Sequence, residues 1–222
     1  MRRRNRLFAV SQSVVVLGGC LMLQGCVVGA VVGGTAAVVG GAAKAGGAVV
    51  GAGFDAVTTS AHSPVHFEAG VTTKLDLDLA AWIVIADSGI EGSTRETVGH
   101  VRSLYENSPE TTQPRLARLG AITEEAIEGL RTRDIEGLGA RMTEAHGLLG
   151  ELGVSIPKLD ALVMAALDAG AVGGKLTGGG GGGCVIALAQ SGEDARRIED
   201  AMVAAGAHAA WTHAPLAREV VA

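Results

Sequence analysis

Lys175-Leu176-Thr177 followed by six consecutive glycines, Gly178 to Gly183, is the stretch most able to do chemistry. Six glycines contribute no side chains to packing and each carries an entropic cost. Between two strand-like runs they make sense where backbone must approach something closely. Bare N–H groups in a tight turn form a concave nest that suits an anion such as phosphate. A flexible linker is the alternative, but linkers usually mix in serine and do not abut apolar strands. The run is not a Walker A loop: Gly174-Lys175 is followed by Leu176, and Ala169 stands where the first glycine is needed. Lys175 either adds positive charge to the site or is a solvated strand-end lysine. Thr177 either donates its hydroxyl to a phosphate or caps the loop.

A second constellation is Asp87, Ser88, Ser93 and Thr94, on a turn between a buried strand and a helix start. That geometry can hold an anionic substrate. For Ser93 the competing role is the helix cap alone. His100, His146, His208 and His213 read as surface or partly packed histidines. Met142, Met164 and Met202 read as core residues. Cys184 reads as a small buried strand residue. No zinc spacing and no His-Glu-x-x-His occurs, so no metal ligands are assigned. No residue stands out as catalytic.

The elements that position these groups follow from periodicity. Leu75, Leu77 and Leu79 alternate with Asp76 and Asp78 as an exposed strand edge, and Ala81 to Ile85 is a buried strand. Ser93-Thr94-Arg95-Glu96 fits a capping box opening a helix to about Tyr105. Pro109 and Pro114 predict a loop, then helical spacing predicts a helix over 115–132 and a second from Ile135 to Leu152. Pro157 opens a third, ended by Gly170. A strand near 171–176, the glycine loop and a strand at 183–190 come next. Ser191 caps a helix to about Ala205, and Ala207 to His213 is a last strand. This order predicts an α+β domain, two-layer and ferredoxin-like.

The segment Gly173 to Leu188 resembles the third motif of the GHMP kinases, and mevalonate kinases most of all. Ile85 to Val98, with its Ala86-Asp87-Ser88-Gly89 and Ser93-Thr94-Arg95-Glu96, is similar to a second mevalonate kinase motif. Leu152 to Ser155, Leu159 to Val163 and Ala169 to Ala171 match that family's approach to the loop. The resemblance covers residues 65–217 and implies a GHMP kinase C-terminal domain. It implies ATP and Mg²⁺ as cofactors, although no magnesium ligands are found. It implies phosphate contacts from Lys175, Thr177, Gly178, Gly179, Gly180, Gly181 and Gly182, with Asp87, Ser93 and Thr94 facing the substrate. The family's N-terminal nucleotide motif, magnesium glutamate and catalytic aspartate are not visible. The expectation is therefore a mevalonate-phosphorylating kinase with only its C-terminal half, inactive alone or needing a separate N-terminal half.

Residues 1–60 have a different character. Of 18 Lys/Arg and 23 Asp/Glu, five and one fall there, so the remainder is acidic and a poor nucleic-acid partner. Arg2-Arg3-Arg4 and Arg6 precede an apolar run in a leader over 1–25, and Leu23-Gln24-Gly25-Cys26 is similar to a bacterial lipobox. That predicts lipidation at Cys26, with Val27 favouring the outer membrane; a transmembrane start is the competing reading. Residues 26–60 are rich in Gly, Ala and Val, with small residues every four positions. They form either an apolar helical glycine zipper or a disordered tether. The alternative to the kinase expectation is therefore a lipid-anchored envelope protein, held at the membrane through residues 1–53, whose kinase-like domain is a non-catalytic binding module. If the leader is artefactual, the domain is cytoplasmic like its kinase relatives.

Overall fold

The computed structural model describes residues 81–213 in full and, before them, the backbone of four short strands. These are β1 (Ser13–Leu17), β2 (Cys20–Met22), β3 (Val65–Glu68) and β4 (Val71–Lys74), joined in an antiparallel sheet of order β2-β1-β3-β4. Cys26, Val27, the 26–60 segment and the alternating 75–79 run lie outside the described residues. No helix among the described residues is long and apolar enough to cross a membrane.

The second sheet builds the domain. Trp82-Ile83-Val84-Ile85-Ala86-Asp87 forms β5 (Trp82–Asp87), rich in the branched and aromatic residues that suit a pleated surface. Four helices follow: α1 (Thr94–Asn107), α2 (Pro109–Thr132), α3 (Ile135–Glu151) and α4 (Pro157–Asp168). The chain then runs through β6 (Gly173–Leu176), β7 (Cys184–Ala189), α5 (Gly192–Ala204) and β8 (Ala209–His213). The antiparallel order is β6-β7-β5-β8. Relabelled by appearance, that is the split β-α-β-β-α-β arrangement of a ferredoxin-like sheet.

Alternation along the strands sends Val84, Ala86, Val185, Ala187 and Ala189 to one face. There they meet Leu159, Leu162, Val163 and Ala166 of α4 and Ala195, Ile198 and Met202 of α5. Ile83, Ile186 and Leu188 face the other way, against Ile127 and Leu130 of α2 and Leu138 and Met142 of α3. Outside, Arg118 on α2 binds Glu144 on α3 at 2.6 Å and Glu125 at 2.5 Å, and Arg141 reaches Glu125 at 2.5 Å. The Arg118 hydrogen bonds hold both carboxyls below their usual range, tying the two helices at their surface.

Two expectations are corrected. Pro109 and Pro114 do not mark a loop; both lie within α2. Pro109 is the first helical residue, where an N–H would be unpaired in any case. Pro114 forfeits one bond, to the Glu110 carbonyl on the exposed first turn, where water can replace it. Met164 is not core: it is 58% exposed on α4, whereas Met142 and Met202 are buried.

Candidate functional site

The glycine loop joins two neighbouring strands. Thr177 N–H donates to the Cys184 carbonyl at 2.9 Å, closing the β6–β7 ladder just before the run of glycines. Beyond that point the loop is fastened to two distant segments. Gly181 N–H donates to the Val154 carbonyl at 2.9 Å, and Gly183 N–H donates to the Ile90 carbonyl at 2.8 Å. Ser88 N–H returns a bond to the Gly183 carbonyl at 2.9 Å. The 88–92 turn and the loop therefore form a single laced surface.

Contact this close explains part of the glycine content. A Cβ on Gly182 would overlap the Ile90 carbonyl and stand 2.9 Å from the Gly92 nitrogen; one on Gly180 would overlap Val154. Gly178, by contrast, has open space beside it, and its requirement is conformational, at φ +85°.

The amides of Gly178, Gly179, Gly180 and Gly182 have no acceptor among the described residues. Gly180 and Gly182 are buried. Buried N–H groups are nearly always paired, and unpaired donors gathered in one short loop have the geometry that can receive an anion. The start of α1 lies against the same loop: a Cβ on Gly179 would be 3.0 Å from the Thr94 Cβ and 3.1 Å from its Cα. The positive end of that helix adds to the field seen by an anion.

The other expected site residues are arranged around this surface. Asp87 ends β5, directly opposite Cys184 in the ladder. Its Oδ1 accepts from Gly89 N–H at 2.9 Å, which sets the turn. Ser93 Oγ accepts from Glu96 N–H at 3.3 Å, so the hydroxyl is the α1 cap. Thr94 is the first residue of α1. Burial, and then the Asp87 charge, push the Cys184 thiol up; the residue is half-buried rather than fully buried.

Lys175 departs from the solvated reading. It is only 2% exposed, and its Nζ donates to the Leu176 carbonyl at 2.6 Å. Its charge bears on the structure from within, beside His146. His146 Nδ1 accepts from Leu176 N–H at 3.3 Å, and its Nε2 lies 3.2 Å from Asp160 Oδ1. Burial pulls the imidazole below its ordinary pKa, partly opposed by Asp160 and reinforced by Lys175.

Sequence reasoning missed Ile90, Gly92 and Val154, whose backbones hold the loop. A glycine just before a helix cap, Gly92, is a signal of close approach that could have found one of them. It also missed His146, which no local pattern distinguishes from a surface histidine.

Residues 126–208 match the family model for the GHMP kinases C terminal. The domain has the fold of a GHMP kinase C-terminal domain. Over 144 residues the chain is 42% identical to the mevalonate kinase of Thermococcus onnurineus, covering 62% of this chain and 42% of that protein. It is 46% identical over 112 residues to the mevalonate kinase of Pyrococcus horikoshii, covering 48% of this chain and 33% of the other. The L. major mevalonate kinase, solved in complex with R-mevalonate, superposes with a TM-score of 0.64 at 26% identity, over 70% of this chain and 50% of that one. The galactokinase of Lactococcus lactis, at 17% identity and a TM-score of 0.53, shares the fold alone. The chain spans less than half the length of the two archaeal relatives. In this domain of GHMP kinase C-terminal fold, the glycine loop, the 87–94 turn and Val154 form one structural unit.

Proposed function

We propose that this domain supplies the phosphate-binding half of an ATP-dependent, mevalonate-phosphorylating active site. The observation that carries the reading is the set of four loop amides without acceptors among the described residues, two of them buried, beside the first turn of α1. Those residues fit the triphosphate of ATP, the cofactor that kinase relatives imply. ATP, when bound, supplies the phosphoryl group. The amides of Gly178, Gly179, Gly180 and Gly182 donate to phosphate oxygens and spread their negative charge over fixed dipoles. Thr94, at the helix start against Gly179, faces the same space, and its hydroxyl orients substrate. Asp87 shapes the turn that carries both.

Magnesium finds no equivalent fit. Among the described residues no three His, Cys, Asp or Glu side chains converge to hold a metal. The chain spans less than half the length of its archaeal mevalonate kinase relatives, so the rest of the catalytic machinery is assigned to the part of those relatives it does not match. Turnover therefore requires a complementary kinase half.

Calorimetry with ATP and the purified chain tests the binding claim: saturable binding is expected in the wild type and its loss in Gly182→Ala. Absence of binding by the wild type would remove the reading. A coupled ADP-release assay with ATP, Mg²⁺ and mevalonate tests the division of labour. Little turnover is expected from the chain alone and a gain when a separate mevalonate kinase N-terminal half is added. Full turnover by the isolated chain would contradict it.

A further inference from the structure

We infer that His146 is a positioning residue for the glycine loop: neutral, it holds the strand that enters the loop, and on protonation it lets that strand go. The inference rests on reading the loop as a phosphate site.

β6 is an edge strand, so alternate backbone groups along it point away from β7 and need other partners. α3 covers that edge. Thr143 Oγ1 accepts from Gly174 N–H at 3.3 Å, and His146 Nδ1 accepts from Leu176 N–H at 3.3 Å. Residues three apart on a helix thus meet residues two apart on a strand. Lys175 Nζ takes the Leu176 carbonyl at 2.6 Å. Both polar groups of Leu176 are fixed by side chains, one residue before Thr177 and two before the first loop glycine.

The hydrogen bond from Leu176 requires a lone pair on Nδ1, which places the single proton of the neutral ring on Nε2. Nε2–H faces Asp160 Oδ1 on α4, which also accepts from Ser155 Oγ at 2.5 Å. Asp160 and Lys175 are the charged groups that bear on His146 among the described residues. A second proton on the ring occupies Nδ1, so two donors then face each other where one bond had been. It also sets imidazolium against the Lys175 charge. Asp160 favours the charged ring, but it is 52% exposed and already engaged by Ser155, whereas the imidazole is only 12% exposed. Burial and Lys175 therefore outweigh it. The bond to Leu176 is the one that breaks, and its loss passes directly to the loop.

Nitrogen–proton correlation spectra of the full ligand-free chain test this between pH 7.5 and 5.0. In the wild type, the Leu176 amide and the amides of Gly178 to Gly182 should shift with the His146 imidazole, at one midpoint below 6.5. In His146→Asn the carbonyl oxygen stands in for Nδ1 and does not titrate, and that shared transition should vanish. Loop amides that ignore the His146 midpoint, or a transition that persists in His146→Asn, would overturn the inference. The wild-type spectra decide the matter even if the variant does not fold. ATP calorimetry gives the functional arm: equal affinity at pH 7.5, and about fivefold weaker binding by the wild type than by His146→Asn at pH 5.0. The ratio between the two proteins cancels ATP's own protonation. A constant ratio with intact binding defeats the inference alone; no ATP binding by either protein, with the spectral transition present, defeats the phosphate reading alone.

Discussion

The backbones of Gly139 on α3 and Gly173 on β6 touch: a Cβ on Gly173 would overlap the Gly139 carbonyl, and one on Gly139 would stand 2.6 Å from the Val172 carbonyl carbon. Helix and strand meet there without side chains between them. This brings α3 close enough for Thr143 and His146 to reach the outward N–H groups of β6.

Two substitutions on one helix should therefore have opposite signs. Ala for Gly gains about 1 kcal/mol of helix propensity at an interior position. Gly147 is exposed with nothing within 4 Å of an added Cβ, so Gly147→Ala should raise the melting temperature. At Gly139 the same gain is outweighed by overpacking of about 1–3 kcal/mol against backbone that cannot rotate away. Gly139→Ala should lower it. Thermal unfolding followed by circular dichroism distinguishes the two.

Within the loop, Gly178→Ala and Gly182→Ala separate conformation from contact. Gly178 has a φ of +85° and open space, so alanine should cost roughly 1–2 kcal/mol through backbone strain alone. Gly182 adds a collision with the Ile90 carbonyl, and should lose more. Chemical denaturation should rank Gly182→Ala as the less stable, with the larger loss of ATP affinity.

Stability should fall on mild acidification. His146 in the folded chain has its pKa below the ordinary imidazole value of 6.5, because burial favours the neutral ring. The unfolded chain then binds more protons between 6.5 and the folded value. Above 6.5 neither state is protonated and the penalty is absent. It grows as pH falls through 6.5 and is complete below the folded pKa, by at most about 1.4 kcal/mol for each unit between the two values. Urea midpoints at pH 7.5, 6.5 and 5.5 should show that decline in the wild type and a shallower one in His146→Asn. Equal slopes would refute the assignment.

Ser93 and Thr94 should part company. Ser93→Ala removes the cap on Glu96 N–H and should cost about 1 kcal/mol of stability with ATP affinity unchanged. Thr94→Val keeps the shape beside Gly179 and deletes a hydroxyl; in the reconstituted enzyme it should raise the KM for mevalonate. Steady-state kinetics beside thermal melts separates these effects.

The sequence made the strand and helix order legible because its signals are local. Capping serines at Ser93 and Ser191, Pro157 and the alternation of β5 and β7 are read within a few residues. Pro114 misled because a proline's cost depends on whether the freed carbonyl meets water, which is a tertiary fact. The glycine run announced an unusual backbone but not its cause. Collision with Ile90 and Val154 is set by segments some 25 to 90 residues away, and no spacing rule reports it. Lys175 looked like a strand-end lysine in text. Its burial follows from α3 lying over the β6 edge, which in turn depends on Gly139 and Gly173.

β5 sits in the interior of its sheet, and both of its neighbours, β7 and β8, come from beyond residue 183. On the ribosome, therefore, this apolar strand is made early and waits for partners until nearly the whole domain has emerged. Four helices must be held in readiness during that interval. Asp87 and the glycine loop come into register only when the sheet closes, so the candidate site is assembled only after β7 and β8 have been made, in one late step.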